Sequence, residues 1–183
     1  NHDSLNGKCK DFSNYLAFRG SYASEQELSY AGGLITALPF TAAGHDFLLV
    51  GVSCNQLRSD PDALQWLNDT LDAYPNATAI LCFHSYMYVR DYVGDGTIAF
   101  PELVAKHSNV RLVLCGHARG FLNRPVLFDD DGDGVDDRTV DQIMINYQSD
   151  ENTRLLYLAL LTFFPEDGRM DVTTYSPKLD RWG

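Results

Sequence analysis

Two short apolar runs, each followed closely by a histidine, constrain this chain more than any other feature. The run Ala79 to Phe83 precedes His84, and the run Val110 to Cys115 precedes Gly116 and His117. Their length and apolar content are typical of strands buried within a sheet. Side chains just beyond the ends of such strands commonly carry the chemistry of α/β proteins. The sequence therefore predicts an α/β fold in which two buried strands each deliver one imidazole.

The two histidines have two interpretations. A single histidine beside an apolar strand is more often a hydrogen-bonded core residue than a ligand. Two histidines at equivalent strand ends favour a metal site, because neutral imidazole is the commonest protein ligand of transition metals. His84 and His117 are thus candidate ligands of one ion, and a core role is the alternative.

The rest of the pattern predicts the elements around these strands. The helix after Asp60 has an N-cap, a first-turn proline and the 3.6-residue period of an amphipathic helix. The other expected elements are a short helix around 25–30, a hairpin over 34–53, a helix over 101–107, and an antiparallel meander of strands at 138–147, 154–164 and 170–175.

Composition restricts the class of protein. The chain has 183 residues, 45% of them hydrophobic, which is enough to bury the core of a single domain. Its 14 basic and 25 acidic residues give a net charge of -11, which argues against a nucleic-acid partner. The longest apolar run, Leu155 to Phe164, is too short to cross a bilayer, so no transmembrane segment is expected.

An acidic segment, FDDDGDGVDDR, follows the second histidine. Closely spaced carboxylates around a glycine turn are typical of loops that wrap oxygens around Ca²⁺. The twelfth position of a full EF-hand loop is Val140 rather than glutamate, so a sensor EF-hand is not predicted. A structural calcium and a solvated acidic turn remain alternatives. The candidate calcium ligands are Asp129, Asp131, Asp133, Val135 and Asp137.

Three short motifs, NHD at 1–3, FH at 83–84 and CGHAR at 115–119, occur in this order. Together they resemble the downstream motifs of the calcineurin-like metallophosphoesterases of bacterial type. The resemblance implies a four-layered α/β/β/α sandwich of mixed and antiparallel strands, of which residues 1–183 form the C-terminal part as a single partial domain. It also implies two divalent transition metals (Zn, Fe, Mn or Ni) and a metal-activated hydroxide that attacks a phosphate ester.

The resemblance assigns roles by motif position. Asn1, His84 and His117 are expected to bind the same ion, the first through its amide oxygen. His2 is expected to lie near the leaving oxygen as general acid, with Asp3 orienting it.

Two departures qualify this assignment. The upstream motifs of the family, Asp-x-His and Gly-Asp-x-x-Asp, are absent from the chain, so the isolated chain is expected to hold at most half a site and to be inactive. Arg119 stands where the family has a second histidine, and a guanidinium cannot bind a metal. In an extended segment Arg119 would point the same way as His117 and would clamp a substrate phosphate.

The expected partner is a phosphorylated small molecule or lipid. Weaker candidates for substrate contact are Arg19, Tyr86, Arg90 and Tyr92. A partial domain is also expected to expose a strand edge or an apolar face, through which the chain could form homo-oligomers. The alternative function is a non-catalytic or degenerate phosphoesterase-like module stabilised by calcium.

Overall fold

The computed structural model describes residues 26–147 and 155–183, which form a large and a small β-sheet, a two-stranded ribbon and a layer of helices. The strands of the large sheet are β1 (Leu28–Tyr30), β2 (Ile35–Ala42), β3 (His45–Val52), β4 (Thr78–Phe83), β7 (Val110–Cys115), β8 (Gly120–Asn123), β9 (Val126–Phe128) and β10 (Arg138–Asn146). The small sheet contains β11 (Leu158–Phe164), β12 (Arg169–Ser176) and β13 (Arg181–Trp182), and β5 (Met87–Tyr88) pairs with β6 (Asp91–Tyr92).

The large sheet is mixed, with the order β1-β2-β3-β4-β7-β10-β8 and with β9 also paired to β10. The central strands β3, β4, β7 and β10 run parallel, and the strands outside them are antiparallel. A mixed α/β fold is thus confirmed. The parallel centre places the ends of β4 and β7 side by side at one edge of the sheet.

Helices cover one face of this sheet. They are α1 (Gln56–Ser59), α2 (Pro61–Ala73) and α3 (Gly96–Ala99), which continues into a π-helical turn at Phe100–Val104. The predicted N-cap of α2 is confirmed, since the Asp60 side chain accepts a hydrogen bond from the Asp62 backbone N–H at 3.1 Å. Leu67 and Leu71 on α2 are fully buried in the same core as Leu81 of β4.

The small sheet covers part of the other face. A second core contains Phe47, Ile80, Leu112 and Ile143 of the large sheet, against which Leu161, Met170 and Val172 of the small sheet pack. Helices, large sheet and small sheet are therefore three successive layers. On the same face as Phe47, Phe40 and Leu49 are each 38% exposed.

Two predicted elements were wrong, and the bounds of a third differ from those expected. Residues 28–30 are a strand paired with β2 rather than a helix, because tertiary pairing decides the state of so short a segment. The helix expected at 101–107 begins earlier, at Gly96, and Pro101 is accommodated in its π-helical turn. The meander does not include β10, which lies beside β7 in the large sheet, whereas β11, β12 and β13 form their own sheet. Strand periodicity predicts which face is buried but not which strand is the neighbour.

None of the helices in the described ranges is both long and apolar enough to cross a membrane.

Candidate metal centre

The two predicted histidines follow the ends of adjacent parallel strands. Phe83, the last residue of β4, lies opposite Cys115, the last residue of β7. One step further, the Gly116 backbone N–H donates to the His84 carbonyl oxygen at 3.2 Å, so the pairing continues past both strand ends. This continuation brings His84 and His117 together.

The imidazole nitrogens of the pair lie close to each other. The Nε2 atom of His84 is 3.1 Å from the Nδ1 atom of His117, and the ring planes are inclined at 63°. Two nitrogens that are each about 2.0–2.1 Å from one ion and roughly 90–109° apart are separated by about 2.9–3.4 Å. The observed separation fits two ligands of one ion, and it equally fits an N–H···N hydrogen bond between neutral rings.

The loop that carries His117 has an unusual backbone. His117 has a φ of 62°, in the left-handed region that few residues other than glycine adopt. The Ala118 backbone N–H donates to the Gly116 carbonyl oxygen at 2.7 Å, and the Asn146 side-chain N–H donates to the His117 carbonyl oxygen at 2.9 Å. These bonds hold a strained turn that places the His117 ring beside His84 rather than continuing the strand.

The cysteines on the same strands do not offer thiolates. Burial raises the pKa of both Cys82 and Cys115 to about 11, so both thiols stay protonated at neutral pH. Cys115 belongs to the core beneath the helices, and the partly buried Cys82 packs against the second core.

A cavity of about 480 Å³ opens beside the histidine pair. It is lined by Cys54, Asn55, Arg58, His84, Ser85, Tyr88, Val93, Gly94, His117 and Ala118. Among these described residues, Arg58 is the single guanidinium and none carries a carboxylate. Arg58 and Tyr88 were missed in the sequence, because α1 has only four residues and Tyr88 is one of several tyrosines in the segment after β4.

The loop after His84 folds tightly against α3. A Cβ atom on Gly96 would lie 1.8 Å from the Tyr86 carbonyl oxygen, and one on Gly94 would lie 2.7 Å from the Ser85 Oγ atom. Glycine at both positions permits this close approach. The loop thereby forms one wall of the cavity.

Asp95 joins this wall to α1. Its side chain is 1% exposed, and its Oδ1 atom accepts from the Leu57 backbone N–H at 3.2 Å. Burial raises the pKa of the Asp95 carboxyl, and the backbone N–H groups of 55–58 act in the opposite direction. Asp95 therefore fixes the position of α1 from the side of the cavity wall.

The other predicted site residues fall into two groups. Asn1, His2, Asp3 and Arg19 lie outside the described residues. Arg119 is exposed and does not line the cavity, because residues 116–119 form a turn and the alternation of an extended strand does not apply.

Two predicted substrate contacts have structural roles instead. Tyr86 is fully buried, and its hydroxyl donates to the Gln142 Oε1 atom at 2.8 Å. Tyr92 is stacked on Phe100, with ring centroids 4.1 Å apart, under the Arg124 guanidinium. Tyr86 is therefore buried in the core, and the half-buried Tyr92 ring packs between Phe100 and Arg124. Arg90 is exposed but does not line the cavity.

The acidic loop lies at the tip of the hairpin between β9 and β10. One carboxylate oxygen from each of Asp129, Asp131 and Asp137 lies within 4.8 Å of the others, a spread that oxygen ligands about 2.3–2.6 Å from one Ca²⁺ can have. Asp133 is outside this group, and its Oδ1 atom accepts from the Val135 backbone N–H at 2.8 Å. All five candidate residues are exposed.

A buried arginine anchors the base of this loop. Arg138 is 2% exposed and makes two bonds of 2.7 Å to the Asp130 carboxylate. Its Nη1 atom also donates to the carbonyl oxygens of Val104 and Val110. The Arg138 guanidinium holds the pKa of Asp130 below its usual range.

No protein-family model matches the sequence. The chain is similar to the Bacillus subtilis (strain 168) protein named "Uncharacterized protein YvnB", with 34% identity over 137 residues. The alignment includes 73% of this chain and 10% of that protein. The chain thus spans about a tenth of the length of the curated relative that it matches.

Proposed function

We propose that this chain supplies part of the active site of a metal-dependent phosphoester hydrolase of the calcineurin-like type. The observation that carries the proposal is the 3.1 Å separation between the His84 Nε2 and His117 Nδ1 atoms. It fits the donor set of a divalent transition metal, for which imidazole nitrogen is a common ligand.

In this proposal His84 and His117 hold one of two ions, with the Asn1 amide oxygen as a third ligand. The ions, when bound, would neutralise phosphoryl oxygens and lower the pKa of a water molecule. His2 would give a proton to the leaving oxygen, and Asp3 would orient the His2 ring. The chain alone would be inactive, with the remaining ligands supplied by the complete protein.

In the complete protein, the three layers described above would be joined by a fourth. In a four-layered α/β/β/α arrangement, further helices would pack on the outer face of the small sheet. Leu158 and Leu160 of β11 are each 39% exposed, which supports a covering layer at that face.

Hydrolysis of p-nitrophenyl phosphate by the complete protein tests the proposed activity. We expect His84→Ala and His117→Ala to lower the rate roughly 100-fold, and a chelator to have the same effect. His45→Ala is the matched control. His45 is exposed and is the first residue of β3, which runs parallel to β4, so it lies at the opposite end of these strands from His84. Rates in His84→Ala and His117→Ala as high as that of His45→Ala and the parent would contradict the proposal.

The second candidate function is a calcium-stabilised module without catalysis, and the Asp129, Asp131 and Asp137 cluster favours it. If this cluster binds Ca²⁺, a hundredfold excess over the dissociation constant stabilises the fold by about 2.7 kcal/mol. Asp131→Asn should remove that gain, whereas Asp136→Asn, in the same loop but outside the cluster, should keep it. Thermal unfolding with and without Ca²⁺ measures the difference. A structural calcium is also compatible with the hydrolase.

A further inference from the structure

We propose that Arg58 binds the phosphoryl group of the substrate and that the site is built for phosphomonoesters. The inference rests on the proposed function for the neighbouring histidine pair. It assigns to Arg58 the phosphate contact that the sequence assigned to Arg119.

The local charge at the cavity differs from that of the whole chain. The chain as a whole has a net charge of -11, which repels phosphorylated molecules at long range. The described residues that line the cavity nevertheless include Arg58 and no aspartate or glutamate. The surface beside His84 and His117 is therefore favourable to an anion where most of the molecule is not.

The Arg58 guanidinium has no partner among the described residues. Arg58 is exposed, and within the described residues its side chain makes no ion pair or hydrogen bond. By contrast, the guanidinium of Arg138 is bound to Asp130, and that of Arg124 donates to the Arg90 carbonyl oxygen. None of the residues in 26–147 and 155–183 therefore occupies the five N–H donors of Arg58.

Contacts of the neighbouring residues of α1 also fix the backbone position of Arg58. Its neighbour Leu57 is 4% exposed, and the Leu57 backbone N–H is held by Asp95. Gln56, the first residue of α1, donates a hydrogen bond from its side-chain Nε2 atom to the Asp60 carboxylate at 3.2 Å. A helical turn anchored in this way presents the arginine stem at the cavity with little backbone freedom.

The number of phosphoryl oxygens determines the substrate class. A bidentate guanidinium uses two unsubstituted oxygens. A diester has two such oxygens, so an ion held by His84 and His117 would have to share one of them with Arg58. A monoester has three, which gives the ion an oxygen that the guanidinium does not use. The organic group of the ester would then lie against Tyr88, whose side chain is 54% exposed at the cavity.

Binding of inorganic phosphate to the 183-residue chain, measured by titration calorimetry with and without added Zn²⁺, tests this inference. Arg58→Ala should raise the dissociation constant about tenfold or more, and Arg58→Lys should fall between it and the parent, because an ammonium cannot bind in a bidentate manner. Arg111→Ala, an exposed arginine near the start of β7, is the control and should bind as the parent does. Dimethyl phosphate, a diester probe, should bind more weakly than phosphate to the parent.

The outcomes separate the two proposals. Phosphate binding that depends on Arg58 in a protein without hydrolase activity would support this inference and contradict the hydrolase. Hydrolysis that depends on His84, with phosphate binding unchanged in Arg58→Ala, would overturn this inference alone. Loss of binding in Arg119→Ala but not in Arg58→Ala, or no phosphate binding by the parent, would also overturn it.

Discussion

The Nε2 atom of His84 lies 3.1 Å from the Nδ1 atom of His117, although 33 positions separate the two residues in the chain. The parallel pairing of β4 with β7 produces this contact, because both strands end at the same edge of the sheet. Neither ring is placed by its own sequence neighbours alone. Changes that shift the strand ends or the loops beside them should therefore disturb the contact between the two imidazoles.

Tyr86→Phe should lower stability without affecting phosphate binding. The substitution removes the hydroxyl that donates to Gln142 and leaves a buried amide oxygen without that partner, at a cost of about 1–3 kcal/mol. Urea unfolding measures the loss of stability, and titration with inorganic phosphate tests whether binding is unchanged. Tyr88→Phe is the matched control, because Tyr88 is exposed and its substitution should change stability by at most about 0.5 kcal/mol. Weaker phosphate binding in Tyr86→Phe would restore Tyr86 as a substrate contact.

Gly96→Ala should destabilise the cavity wall. The new methyl group would lie 1.8 Å from the Tyr86 carbonyl oxygen, so the loop after His84 has to move away from α3. We expect a loss of roughly 3 kcal/mol in the free energy of unfolding. In the control Gly51→Ala, the methyl group would meet the Thr36 Oγ1 atom at an ordinary 3.4 Å. A similar urea midpoint for both variants would show that the site beside the Tyr86 carbonyl oxygen tolerates a methyl group at position 96, and would contradict the prediction.

Stability at low pH should depend on Asp130. Its pKa is lowered in the folded protein, chiefly by hydrogen bonds from Arg138, so the stabilisation is fully present above the ordinary aspartate pKa of about 3.9. It is lost as the pH falls through the lower folded-state value. Asp130→Asn should therefore cost about 2 kcal/mol at pH 7, and the difference from the parent should shrink toward pH 2.

Urea unfolding at both pH values checks this prediction, with Asp136→Asn as a variant of the same acidic loop. A deficit in Asp130→Asn that stays constant from pH 7 to pH 2 would contradict the assigned ion pair.

The sequence was most informative where chemistry and periodicity coincide. The apolar runs before His84 and His117 identified the strands, and Asp60 with Pro61 identified the start of α2. Strand partners were less accessible, since β10 has the composition of a meander strand but pairs with β7. That choice depends on contacts between segments far apart in the chain.

The candidate site shows the same limit. Histidine is conspicuous after a strand, so His84 and His117 could be found without coordinates. Arg58 lies on a four-residue helix with no sequence signal for a site, and only folding brings it to the cavity. Tyr86 was a plausible substrate contact by position in a loop, but its burial could not be read from the sequence.

Metal content tests the central claim most directly. The purified chain is equilibrated with Zn²⁺, separated from free metal and analysed for bound zinc, beside His84→Ala, His117→Ala and the control His45→Ala. If the two histidines hold one ion, each of the first two variants should lose the same equivalent of zinc, and His45→Ala should retain it. Zinc content that is unchanged by both histidine substitutions, or no bound zinc in the parent chain, would show that the 3.1 Å contact is a hydrogen bond between neutral rings and would contradict the account.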